Sequence, residues 1–105
     1  MHNDARVVLC TFPNTEKAAE VARLLVGERL AACVSLSAVT SIYSWKDELQ
    51  NEVETLAVIK TTADRFAALT ARIIELHPYE VPEVIALPII DGHAPYLAWL
   101  ADSTR

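Results

Sequence analysis

Along this chain the hydrophobic positions switch repeatedly between the period of a strand and that of a helix. Residues 5–12, ARVVLCTF, are short and almost continuously apolar, the pattern of a strand covered on both faces. Pro13, Asn14 and Thr15 offer a stop and an N-cap. Glu16 then falls where the helix dipole favours an acid, and Ala18, Val21, Ala22 and Leu25 recur at helical spacing, which predicts a helix over about 15–28. Residues 32–45 and 52–61 are rich in β-branched, aromatic and small side chains with partial alternation, and the polar link Lys46-Asp47-Glu48 joins them as a long hairpin. The link has no glycine, but aspartate tolerates the left-handed region, so Asp47 is the expected turn residue.

Thr62 stands where it can cap a second helix, with Asp64 in the first turn and Phe66, Leu69, Thr70 and Ile73 as the inward stripe. That helix must end by His77, because Pro78 pushes the residue before it out of the helical region. VIALPII (84–90) reads as a fourth strand, and Pro88, lacking a donor, assigns it to a sheet edge or a bulge. Asp91-Gly92 turns the chain, Pro95 suits a first helical turn, and Tyr96, Leu97, Trp99 and Leu100 can cover apolar surface. The order is βαββαβ plus a terminal helix. Right-handed crossovers put both main helices on one face of a four-stranded antiparallel sheet, an α+β, ferredoxin-like sandwich with a long central hairpin and an extra C-terminal helix. Strands as apolar as 5–12 and 84–90 need cover on the other face too, so assembly with further copies of the chain is expected.

Composition narrows the function classes. At 105 residues, 52% hydrophobic, the chain suits one domain over 1–105 with its own core. Its richest apolar runs, Leu56 to Ile59 and Val84 to Ile90, have the length of strands rather than of a membrane span. MHNDARVV has no basic region leading into a long apolar stretch, so a cytoplasmic protein without a cleaved leader is expected. A net charge of −5, with nine scattered basic residues, argues against a nucleic-acid partner. Cys10 and Cys33 form no CxxC pair and read as reduced thiols. With only Gly27 and Gly92, and no GxSxG or HExxH, neither an enzyme nor an organic cofactor is expected.

The richest chemistry lies in HPYEVPE (77–83), a rigid non-helical connector carrying an imidazole, a phenol and two carboxylates. His77 can ligate a metal or bond the last carbonyls of its helix; Cys10 can ligate or act as a small buried hydrophobe. His2 and His93 have no partner at metal-ligand spacing. Alternation puts Glu52, Glu54, Leu56, Val58 and Lys60 on one strand face, with Tyr79, Glu80 and Glu83 as candidates to join them. Two readings stand for that group. One is a salt-bridged contact between copies; the other is an inter-subunit cleft that binds a small ligand or a hard cation through carboxylate oxygens. Trp45 and Trp99 are interface or core aromatics, or belong to that cleft.

ERLAACVSL (28–36), SIYSWKDEL (41–49), VIKT (58–61), HPYEVPE (77–83) and YLAWL (96–100), in this order and spacing, resemble the CutA family of divalent-cation-tolerance proteins over nearly the whole chain. The resemblance implies a tight homotrimer in which the long hairpin adds strands to a neighbour's sheet, and a role in tolerance of copper and other divalent cations. It further implies Cu(II) or another divalent cation as ligand, held by a cysteine matching Cys10 and by two adjacent histidines before the HPY proline. Here that pair is Leu76-His77, so one imidazole is missing, and the hairpin turn has Asp47 where the family usually has glycine. With the third strand taken parallel to the first, Cys10 and His77 fall at opposite ends of the sheet. At roughly 3.3 Å per strand residue that is more than about 15 Å, so a shared ion would require two subunits.

Overall fold

The computed structural model describes residues 4–105, so His2 lies outside the described residues. β1 (Ala5–Phe12) is apolar at both parities, and it takes an inner place in the sheet. β3 (Glu48–Thr62) pairs along one side of it and β4 (Ile85–Pro88) along the other, both antiparallel. β2 (Cys33–Trp45) pairs β3 antiparallel on the outside, which gives the order β2-β3-β1-β4. Pro88 therefore sits on an edge strand, where its missing donor costs the ladder nothing. β4 is shorter than the apolar run 84–90, because Val84 belongs to the connector and packs against the core.

The hairpin is longer than its pattern suggests. Pairing continues to Trp45↔Glu48, so β3 starts at Glu48 rather than at residue 52. Those first positions are solvated and carry no alternation, while the ladder that extends them is made by backbone groups. Lys46 and Asp47 form the turn at φ 51° and 65°, both in the left-handed region. This is the two-residue geometry that matches the twist of the flanking strands.

α1 (Thr15–Gly27) is capped by Asn14, whose side-chain oxygen accepts the Lys17 N–H at 2.8 Å, and it buries Ala18, Val21 and Leu25. α2 (Phe66–Leu76) buries Leu69 and Ile73 and ends at Leu76, as Pro78 requires. Thr62 does not cap it. That residue is still in the ladder opposite Ala5, and a 3₁₀ turn over Ala63–Arg65 opens the helix instead. Val21, Leu25, Leu69 and Ile73 meet Val8, Cys10, Phe12, Ala57 and Ile59 in one cluster, so both helices cover the same sheet face.

The other face is covered only at one end. α3 (Ala94–Ser103) packs there through Leu100 on Ala5 and Ala32, with Leu97 and Ile89 beside them. Beyond it Val7, Leu9, Leu56 and Val58 share an apolar surface with Ile85 and Leu87, which are 51% and 47% exposed. Of the four α3 residues expected to cover apolar surface, Tyr96 and Trp99 face outward.

The direction of β3 corrects one expectation. β3 runs antiparallel to β1, with Ala5↔Thr62 and Phe12↔Thr55, so α2 returns to the end where β1 finishes. The α1 crossover brings the chain back so that β2 runs in the same direction as β1, and the hairpin then reverses it, so β3 opposes β1. His77 and Cys10 consequently lie at the same end of the sheet.

A candidate cleft beneath the proline-rich connector

His77 leaves α2 with extended backbone and its ring stacks on Phe12, centroids 4.5 Å apart. Nδ1 accepts the Tyr79 N–H at 3.1 Å, which leaves Nε2 to carry the proton and donate it to the Thr11 carbonyl at 2.7 Å. Burial pulls the pKa of this imidazole below its usual value, against smaller opposing contributions from the Thr11 bond and from Glu54. The ring is neutral, and both nitrogens are engaged.

Cys10 sits on the core face with no exposed surface. Its Sγ lies 3.9 Å from the same Thr11 oxygen, so Sγ and Nε2 are no farther apart than the sum of two contacts to one atom. Burial, then the charges of Glu83 and Glu54, push this thiol up to about 12. Copper or zinc ligation needs a free thiolate and a free imidazole lone pair; here the thiol is buried among core side chains and the Nδ1 lone pair is spent on the Tyr79 N–H. Among the described residues no group of three or more His, Cys, Asp or Glu is placed to hold a metal ion. The pair that the sequence nominates is thus brought together, but in a form that does not fit a resident ion.

Past Pro78 the connector crosses to the open sheet face and roofs a cleft of about 650 Å³. Its floor is Glu54, which is 5% exposed and accepts the Tyr79 hydroxyl on Oε2 at 2.5 Å. Burial and the Glu54 carboxylate hold the Tyr79 phenol far above the usual tyrosine range. Tyr43 and Trp45 on β2 form one wall, and Glu80 and Glu83 from the connector form the other. The Tyr43 hydroxyl donates to Glu52 Oε1 at 3.1 Å, and Glu52 itself does not line the cleft. Lys46 from the turn stands at the mouth, its Nζ 5.7 Å from the Trp45 ring centroid and 3.8 Å from Glu80 Oε2.

Trp45, Glu54, Tyr79, Glu80 and Glu83 are therefore gathered in one place. Lys60 is not: it lies six residues along β3 from Glu54, roughly 20 Å away at strand rise, opposite Val7 and Cys33. Trp99 is on α3, its ring 5.5 Å from Tyr96, and does not line this cleft. Tyr43 was overlooked in the sequence, although period-two alternation already places it on the same face as Trp45.

The chain matches the model of the CutA1 divalent ion tolerance protein family over residues 6–103. It belongs to the CutA1 family. A divalent-cation tolerance protein CutA of Thermus thermophilus is 48% identical over 99 residues, covering 93% of this chain and 96% of that protein. A solved CutA1 structure from the same organism superposes with a TM-score of 0.93 at 47% identity, covering 96% of this chain and 99% of that one. A CutA structure from Archaeoglobus fulgidus, described as periplasmic, reaches a TM-score of 0.94 at 27% identity over 96% of this chain and 99% of its own. These CutA proteins share the antiparallel sheet and helices described above.

Proposed function

We propose that this chain serves divalent-cation tolerance as a non-enzymatic homotrimer of ferredoxin-like subunits, and that recognition takes place in the cleft beneath the connector rather than at an ion bound by Cys10 and His77. One observation carries this reading: the donors nominated for copper are engaged within the fold, Cys10 Sγ and His77 Nε2 at the Thr11 carbonyl and His77 Nδ1 at the Tyr79 N–H, whereas the nearby cleft is open and lined by carboxylates and aromatic rings. The trimer is supported by the apolar sheet face that α3 leaves uncovered, and by Ile42, Leu49 and Val53 standing 67%, 79% and 73% exposed on the hairpin. Free thiols at Cys10 and Cys33 fit the cytoplasm.

The test is a calorimetric titration of the metal-free protein with Cu(II) and Zn(II), beside Cys10→Ala and His77→Ala, with mass from light scattering. Weak uptake that neither substitution changes, on a particle of three chains, is the expected result. Saturable uptake at a fixed ratio per trimer, abolished by either substitution with the mass intact, would overturn this reading and establish Cys10 and His77 as the copper site.

A further inference from the structure

We propose that the cleft beneath the connector is a site for an organic cation, an alkylammonium, guanidinium or quaternary ammonium group, held by the Glu54 carboxylate on its floor and the aromatic rings of Tyr43 and Trp45 on its wall. This inference rests on the reading of the cleft as the recognition element and names its ligand class.

The first argument is charge. The lining contains Glu54, Glu80 and Glu83 and no lysine, arginine or histidine. The second is the state of Glu54. It is more than nine-tenths buried, Tyr79 satisfies Oε2, and Oε1 accepts no hydrogen bond from the described residues while the side chain lines the cavity. Oε1 is not sealed from solvent, so it is free to meet a cationic donor that enters the cleft. The third is the direction of the phenols. Tyr43 and Tyr79 both line the cleft and both spend their protons on carboxylates, so neither hydroxyl has a proton left to donate to a ligand.

These features also separate an organic cation from a metal ion. A hard divalent ion needs several oxygens converging within about 2.6 Å, and no three carboxylates among the described residues are so placed. An organic cation needs one carboxylate and an aromatic neighbour, and the lining of the cleft contains both. The protein already makes such a contact at the mouth, where the Lys46 ammonium lies over Trp45 and against Glu80.

The experiment uses the full-length protein at constant ionic strength. Backbone amide shifts of Tyr43, Trp45 and Glu54 are followed during titration with n-butylammonium and tetramethylammonium chloride, and with 1-pentanol as the neutral isostere, with light scattering on the same samples. Saturable shifts are expected for both cations, with the alcohol weaker by about tenfold or more, since it forgoes the ion pair and the cation–π contact. Glu54→Gln, which can still accept from Tyr79, should lose about tenfold for the cations and little for the alcohol. Trp45→Leu alters a ring that is already 41% exposed, so it keeps the test alive should the Glu54 variant misfold. Equal affinity for ammonium and alcohol, no saturable shift at all, or no loss in either variant would overturn the ligand class. A mass of one chain with the ammonium still preferred would instead overturn the trimeric reading and leave the ligand class standing.

Discussion

Thr11 presents one carbonyl oxygen to two protonated groups, the Cys10 thiol and the His77 Nε2–H, and this contact explains why two residues of metal-ligand type behave as packing. His77 reads as a lock on the end of α2. It stacks on Phe12, accepts from Tyr79 and donates to β1, and the bond accepted from Tyr79 requires a neutral ring. Its folded pKa is depressed, so in acid the unfolded chain takes up the proton first. The stability this contributes is present above the unfolded value of about 6.5 and is lost as pH falls through the folded value. Denaturant midpoints from about pH 8 to pH 5 should therefore fall more steeply for the wild type than for His77→Gln, which has no proton to gain. Parallel curves would remove the lock from the account. At this scale the sequence was legible in composition and not in role: HPYEVPE could be read as a rigid connector from Pro78 and Pro82 alone. Which ring nitrogen held a proton depended on a strand 66 residues away.

At the scale of elements, local chemistry set most boundaries and pairing set the rest. Asn14 caps α1 as its side chain predicts, so Asn14→Ala should cost about 1 kcal/mol and Asn14→Ser little, read from denaturant midpoints. The hairpin turn predicts the opposite sign. Asp47 is held at φ 65°, and Asp47→Gly should stabilise the protein by up to about 1 kcal/mol because glycine enters that region without a Cβ clash. Equal midpoints for both substitutions would mean that neither element end responds to its local chemistry. The extension of β3 to Glu48 and the replacement of a Thr62 cap by a 3₁₀ turn were not legible, because both follow from backbone pairing that leaves no mark on side-chain pattern.

For the whole molecule, the open face of the sheet dominates. Val58 is half-buried there, between Leu9 on β1 and Ser35 on β2. Val58→Glu should be tolerated within one chain, yet in a trimer closed over this face it would bury an unpaired carboxylate. Light scattering should show the particle fall from three chains to one, and the wild-type melting temperature should rise with protein concentration while the variant's does not. An unchanged mass for the variant would mean that copies meet elsewhere.

By itself the sequence determined the element order, the two helical stripes, the restriction of Pro88 to a sheet edge or a bulge, and membership in the CutA1 family, because each is written in local side-chain chemistry or in ordered motifs. Only the tertiary structure decided that β3 opposes β1, and through it that His77 closes on Thr11 beside Cys10 while Lys60 and Trp99 stand apart from Glu54. Strand direction is a property of pairing between distant segments, and a proton's position depends on the groups that pairing brings near. Neither is carried by the spacing of residues along one chain.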